Sequence, residues 1–383
     1  MDRMALTAAL WRWTKVGLVL TALDLVLFRG GVFWPLTAAL DAPAVSSWSI
    51  VYRAARTIET AKPQAGTALI VGSSVVALGV VEPIANGATH GLPAQLIKVS
   101  MFGASATDAA LLAWSARDLD PWLVIYGAAV RDFGRALERE ESPAARLFYD
   151  ASVTLSALPR RGADDVAAAW IKRGWKLYRY QPLARAALET SVRAWIGRLA
   201  FVTPAVAALA PVEAEGLPPE ARRRFGTFGV MTPEAWVRWQ RWRSTRRFDD
   251  YLAYLDARGI DLRKTLGGYT AANLNLDDNP QVDSLRWMLS TLPGLGARVV
   301  VVAFPENPVL REPDGRAFAD PVLSDAYAAM LAREAAAHSA RFVDLRDLLP
   351  AEDFNDTVHV NIEGSARLSA RIGELVAEEW RAR

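Results

Sequence analysis

The sequence predicts an α/β fold: a parallel sheet covered by helices in three layers, with a large helical insertion and an N-terminal membrane anchor helix. Three observations predict it. Short apolar runs, each closed by a glycine or proline, alternate with helical stretches, as in a parallel sheet buried on both faces. A long segment rich in Arg, Trp and Ala, from about residue 136 to 267, breaks that rhythm and reads as helical. An apolar run at the N-terminus, residues 16–40, carries only Asp24 and Arg29 as charges.

Taken in order, the anchor is followed by a helical stalk over Ser46–Gln64. Thr67–Val71 is a short buried strand by its β-branched and apolar content, ended by Gly72. Leu96–Phe102 is a second strand closing at Gly103, and Ala109–Ala116 a helix. Trp122–Tyr126 (WLVIY) is the third strand, followed by Gly127 and the pair Arg131-Asp132. Val299–Phe304 (VVVVAF) is the fourth, stopped by Pro305, and Arg341–Leu345 the fifth. Helices are expected over Asp325–His338 and Glu363–Trp380. The resulting division is 1–45 for the cytoplasmic N-terminus and anchor, 46–135 and 271–383 for the two parts of the sheet domain, and 136–270 for the insertion. Catalytic groups in such a sheet sit at the carboxyl ends of strands. Ser74, Gly103, Arg131 and the end of VVVVAF fall there.

Arg3, Arg12 and Lys15 precede the apolar run, with Asp2 the one acid before it. That bias predicts a cytoplasmic N-terminus and an exported remainder. Three arrangements fit: a single anchor helix, which is favoured, a cleaved signal peptide with small residues at 37–44, and an amphipathic or buried helix. Asp24 is costly in lipid unless paired. Within the insertion, WIKRGWKLYRY (residues 170–180) and WVRWQRWRSTRR (236–247) interleave bases with aromatics. Such segments pack on a core, lie at a lipid interface or bind an anionic or sugar ligand.

Composition excludes several classes. With 44 basic and 42 acidic residues the chain has no nucleic-acid footprint. With no cysteine it has no disulfide, thiolate metal site or thiol chemistry. No glycine-rich phosphate loop follows a strand, and the three histidines, His90, His338 and His359, lack metal-ligand spacing. No cofactor is implied, and the 52% apolar content fits membrane attachment.

Asp356-Thr-Val-His359 carries the chemistry. A serine nucleophile needs an imidazole to take its proton, and a carboxylate to fix the imidazole's tautomer. A carboxylate three residues before a histidine can meet it across one turn of chain. The candidate nucleophile is Ser74, in the small-residue turn that closes Ala68-Leu-Ile-Val-Gly-Ser-Ser; Ser73 is the alternative hydroxyl. The plain alternative is that Gly-Ser-Ser connects two elements and that His359 and Asp356 shape the entry to the last helix with Asn355, Asn361 and Gly364. An oxyanion hole draws on the Ser74 backbone N–H and on Gly103, whose missing side chain lets a substrate approach. Gly103 is equally read as a helix-entry glycine.

Together these residues resemble the SGNH (GDSL-like) hydrolase superfamily. Gly72-Ser73-Ser74 matches its first block with Ser in place of Asp. Phe102-Gly103-Ala104-Ser105 looks like the second, and Asp356-Thr-Val-His359-Val-Asn361-Ile-Glu-Gly364 matches the last. The third block departs: Gly-Gly-Asn-Asp falls over Ala129-Val130-Arg131-Asp132, which leaves Arg131 as the substitute donor. The similarity covers about Thr67–Phe133 and Asp278–Glu379. The Gly-Ser-Ser variant, the anchor and Phe304-Pro-Glu-Asn-Pro308 look most like the exported, membrane-anchored branch. That branch works beside membrane-bound O-acyltransferases in alginate and cellulose acetylation and in teichoic acid D-alanylation. The resemblance implies a flavodoxin-like three-layer sheet and Ser74-His359-Asp356 acyl transfer with Ser74, Gly103 and Arg131 as oxyanion donors. It implies a polysaccharide or cell-envelope glycan as substrate. It also implies a single-pass location in the cytoplasmic membrane, with the catalytic domain periplasmic or extracellular. The alternative is an inactive scaffold of the same fold that binds glycan or a membrane-bound O-acyltransferase.

Overall fold

The computed structural model describes residues 3–41, 48–134, 142–149, 170–172, 174–198, 245–257, 259, 274–311 and 321–383. All five predicted runs are strands: β1 (Thr67–Gly72), β2 (Gln95–Ser100), β3 (Leu123–Ala128), β4 (Arg298–Ala303) and β5 (Arg341–Asp344). They pair in parallel in the order β2-β1-β3-β4-β5, one of the common doubly wound orders. β1 and β3 are buried along their whole length, which is why they read as unbroken apolar runs rather than alternating ones.

Helices close both faces. On one, Ala68, Ile70, Leu96, Leu123, Ile125, Val300 and Val302 form a common core with Leu368, Ile372, Leu375 and Val376. Alternation along each strand turns Leu69, Val71, Val99, Val124, Tyr126 and Val301 to the opposite face, where they too are buried. Short helices α4 (Ser74–Gly79) and α5 (Glu82–Gly87) follow β1, and the long amphipathic helix α12 (Ile362–Arg381) joins them on the first face. On the second, α6 (Ala106–Ser115) lies against β1, β2 and β3, with α10 (Pro280–Thr291) packed on α6, and α11 (Pro321–Ala337) lies against β4 and β5.

The amino ends of the strands are pinned to the end of α12. The buried Glu379 carboxylate receives Arg298 of β4 at 2.9 Å and Arg341 of β5 at 2.8 Å. Trp380 packs edge-on to Trp122 with ring centroids 5.1 Å apart. Ser74 and His359 lie at the opposite, carboxyl ends.

The chain divides into two compact units, one chiefly Arg53–Arg146 with Ala235–Arg383, the other built on the residues up to Tyr52. Part of the predicted insertion belongs to the sheet unit: Phe248, Tyr251 and Leu255 of α9 (Phe248–Asp256) enter the core against α12's face. Most of WVRWQRWRSTRR lies outside the described residues, as do 42–44 of the small-residue stretch.

In the N-terminal unit, α1 (Arg3–Asp24) runs into a π-helical turn, Leu25–Arg29, and stops at Gly30. Short α2 (Phe33–Leu36) follows. The expected spanning helix over residues 16–40 is therefore not formed: no helix among the described residues is long and apolar enough to cross a membrane. The reason is local. The break at Gly30-Gly31 leaves one apolar stretch, Val16–Phe28, well below the roughly 20 residues a span needs. Phe33 and Trp34 beyond the break are buried, packed with Phe28 and Tyr180 at centroid separations of 4.5–6.5 Å. Tyr180 comes from α8 (Lys176–Arg198), whose Leu177 N–H donates to the Asp24 carboxylate. Asp24 thus has the partner that an acid in an apolar run requires.

Candidate active site

The site is assembled from three segments. β1 ends at Gly72 because no larger residue fits there: a Cβ would lie 2.6 Å from the Gly127 carbonyl of neighbouring β3. The chain then turns at Ser73, whose backbone is extended, and Ser74 opens α4. Lys98 of β2 holds the other end of that helix, donating from Nζ to the carbonyls of Ala77 (2.9 Å) and Val80 (2.5 Å). Burial lowers the Lys98 pKa, and Glu82 opposes that shift.

The second segment is the loop 354–361. Phe354 and Val360 form an antiparallel bridge, and Asn355 closes it with N–H to His359 O and Nδ2 to Val360 O, both 2.9 Å. Inside the loop, Asp356 Oδ1 accepts the N–H groups of Val358 (2.9 Å) and His359 (2.8 Å). The same carboxylate lies 3.0 Å from His359 Nδ1 through either oxygen. Asp356 therefore shapes the turn and orients the ring at once. Asn361 caps α12 by accepting from Gly364 N–H and donates to Glu352 O at 2.7 Å. Asn307 of the Phe304-Pro-Glu-Asn-Pro308 stretch is buried, and its Nδ2 donates to the Asp356 carbonyl at 3.5 Å.

These segments meet. His359 Nε2 is 2.9 Å from Ser74 Oγ, across 285 residues of sequence. An ionised carboxylate can only accept, so Asp356 sets the proton on Nδ1 and leaves Nε2 free to accept from the serine hydroxyl. Two hydroxyls of α12 keep the partners together. Ser365 Oγ donates to Leu78 O at 3.1 Å, and Ser369 Oγ accepts from Val81 N–H at 2.8 Å. The first contact lands in the last turn of the helix that begins with Ser74, the second just beyond it.

The expected oxyanion donors lie at the same sheet edge. Gly103 sits in the turn after β2, where Met101 N–H donates to Gly72 O at 3.2 Å. Its φ of +67° calls for glycine, and a Cβ there would meet open space. Arg131 sits in the 3₁₀ turn Val130–Phe133 after β3 and lines a cleft of about 570 Å³, counting its open mouth. Val75, Phe304, Leu323 and Val358 supply apolar wall, and Glu306 adds a carboxylate. Val75 follows Ser74 and Val358 precedes His359, so chain neighbours of the relay line the cleft.

The two other histidines take no part in this arrangement. His90 occupies an exposed left-handed turn, and His338 follows the end of α11. Ser73, the alternative nucleophile, is buried, and its hydroxyl makes no capping bond to α4. Asp132 is the residue that sequence reasoning passed over. Burial raises its carboxyl from 3.8 to about 7, against the lowering effect of hydrogen bonds from Ala129 N–H, Ser73 and Tyr126 and of the Arg131 charge. The signal available in sequence was its place beside Arg131 after an apolar strand. Among the described residues no three or more His, Asp and Glu side chains converge as a metal site would. Compared with known proteins, the chain matches no family model and no curated protein sequence.

Proposed function

We propose that the protein is a serine acyltransferase or esterase of the SGNH type, moving an acyl group onto or off a cell-envelope or extracellular polysaccharide. The observation that carries the reading is the relay Ser74 Oγ–His359 Nε2 at 2.9 Å with Asp356 on Nδ1 at 3.0 Å. As Ser74 Oγ bonds to the acyl carbon of a donor, its proton passes to His359 Nε2. The donor's leaving group departs with that proton, leaving an acyl-Ser74. An acceptor hydroxyl, from a sugar or from water, then attacks the same carbon and gives its proton to Nε2. Ser74 leaves and recovers it. The Ser74 and Gly103 N–H groups and Arg131 stabilise the oxyanion of both additions. The cleft beside Val75 and Val358 accepts the acyl group.

Supporting this reading are the block order noted above and the doubly wound strand order. The reading extends to location: the exported domain stays at the outer face of the cytoplasmic membrane, held by the N-terminal unit beside a membrane-bound O-acyltransferase. α1 favours this, since Trp11, Trp13, Leu18 and Val19 are all exposed and Arg12 and Lys15 stand among them. A second reading, a non-catalytic scaffold that binds glycan or the acyltransferase, is favoured by Arg131 in the place of the oxyanion-hole Asn.

One experiment decides between them. A serine-directed fluorophosphonate should label the wild-type chain at Ser74, and Ser74→Ala and His359→Ala should abolish labelling. Turnover of small acyl esters should fall about 10⁴-fold or more in either variant. Wild-type turnover equal to that of Ser74→Ala would leave the scaffold reading.

A further inference from the structure

We propose that α8, with residues 170–172 before it, lies in the headgroup layer of an anionic bilayer, so that the insertion gives the N-terminal unit a second lipid contact besides α1. The inference goes beyond acyl transfer and rests only on the membrane location proposed for that unit.

Apolar surface is unevenly shared between the two units. Eighteen large apolar side chains are exposed among the described residues, and fifteen of them belong to the N-terminal unit; the sheet unit exposes Ile84, Leu295 and Ile362. Single exposed apolar side chains are ordinary, whereas a concentration of this kind marks a contact surface. Five of the fifteen, Trp170, Ile171, Tyr178, Leu188 and Val192, come from the insertion.

α8 keeps two faces apart. Tyr180, Leu183 and Ala187, spaced by three and four residues, are buried on one of them. Tyr180 meets Phe28, Phe33 and Trp34, and Leu177 N–H donates to Asp24, so the helix is seated on the end of α1 and the chain that follows it. Tyr178, Arg185, Leu188 and Val192 recur at intervals of seven, three and four residues and form a stripe on the other face. All four are exposed, Leu188 by 65%. The acid on that stripe, Glu189, is paired with Arg185 at 2.9 Å. At the amino end, Arg179 Nε donates to Lys172 O at 3.0 Å and fastens residues 170–172 to the helix.

Charge indicates what covers the stripe. Residues 3–41 and 170–198 hold eleven Lys and Arg against three acids, whereas the rest of the chain holds 33 against 39. In α1, Lys15 Nζ stands 5.0 Å from the ring centroid of Trp11. Bases interleaved with aromatics and exposed aliphatics fit a surface that is negative at its edge and apolar just beneath, which is the headgroup layer of an anionic bilayer. A glycan would stack on the rings but leave Leu188 and Val192 in water. α8 carries Lys176, Arg179, Arg185 and Glu189 along its length, and a helix lying in the membrane plane keeps those charges wet.

The chain has no cysteine, so one introduced residue carries a single environment-sensitive nitrobenzoxadiazole label on the full-length protein. Leu188→Cys reports on α8, Leu18→Cys on α1 and Ile84→Cys on the sheet unit; all three positions are exposed, and circular dichroism checks folding. Each protein is mixed with vesicles of phosphatidylcholine alone or of equal parts phosphatidylcholine and phosphatidylglycerol. The labels at 188 and 18 should shift to the blue with the anionic vesicles and be quenched by a nitroxide lipid, while the label at 84 stays unchanged. Adding Arg185→Gln to Leu188→Cys should weaken partition onto the anionic vesicles about fivefold. A response at 18 with none at 188 overturns the proposal and leaves the location reading standing; no response at either overturns both. An equal response at 84, or with neutral vesicles, overturns the assignment to an anionic surface. A blue shift at 188 that grows with protein concentration and needs no lipid makes a second copy of the chain the occupant, and overturns it as well.

Discussion

Replacing Asp356 by asparagine separates the residue's two tasks. The carboxylate accepts two backbone N–H groups, from Val358 and His359, and orients the ring through Nδ1. An asparagine keeps an oxygen for the two backbone donors, so the loop bridged by Phe354 and Val360 stays shaped. Its NH₂ then faces His359 Nδ1. That nitrogen must become the acceptor, the proton moves to Nε2, and the ring can no longer take the proton of Ser74. The serine-protease triad used as the general template loses about 10⁴-fold in kcat for the same change, about 5.5 kcal/mol of barrier. Asp356→Ala removes the backbone acceptors as well, at about 1 kcal/mol for each lost bond, or about 2 kcal/mol of stability in all. The expected result is an Asp356→Asn protein with wild-type melting and about 10⁻⁴ of the ester turnover, and an Asp356→Ala protein that is equally inert and melts several degrees lower. The two measurements are thermal melts by circular dichroism and turnover of a chromogenic acetate. Asp356→Asn turnover within tenfold of wild type would refute the tautomer argument.

Other outcomes follow from the same geometry. Arg131→Ala should lower kcat at least tenfold with KM little changed if the guanidinium stabilises the oxyanion, and Arg131→Asn should recover part of the loss; steady-state kinetics on acyl esters reads both. Gly72→Ala forces a Cβ to 2.6 Å from Gly127 O and should cost about 3 kcal/mol or more in urea unfolding. Asp132 has its folded pKa raised above 3.8, so its contribution to stability is full below that value and lost as pH rises through about 7. A rise of that size corresponds to about 4 kcal/mol. Asp132→Asn should therefore melt close to wild type at pH 4 and above it at pH 8. Ser365→Ala should lose about 1 kcal/mol in the same unfolding assay, and its labelling rate should fall with it.

The strands were legible because burial on both faces leaves a run such as Leu69-Ile-Val with no polar position to mislead. The pairing of His359 with Asp356 was legible because three residues of chain can close that contact locally. Other features depend on partners far away in sequence. α10 was missed because its buried positions include Gln281 and Ser284, which hydrogen-bond Thr107 of α6 instead of forming an apolar stripe. The spanning helix was expected because hydropathy counts residues 16–40 together, whereas Gly30-Gly31 interrupts the helix and Tyr180 receives the aromatics beyond it. Asp132 was read only as the neighbour of Arg131 after the third strand, with no role of its own. Only the fold shows that it is buried, accepting from Tyr126 Oη and Ala129 N–H.

The serine-side helix and the histidine-side helix are stitched together by Ser365 and Ser369, whereas Phe304 and Leu323 in the cleft wall belong to β4's exit and to α11. Part of the chamber is thus mounted on a different part of the frame from the proton path. Reshaping the chamber at Phe304 or Leu323 should retune which acyl chains are accepted while the hydroxyl and the imidazole keep their distance, a separation useful to anyone who wants new specificity without rebuilding the catalytic centre.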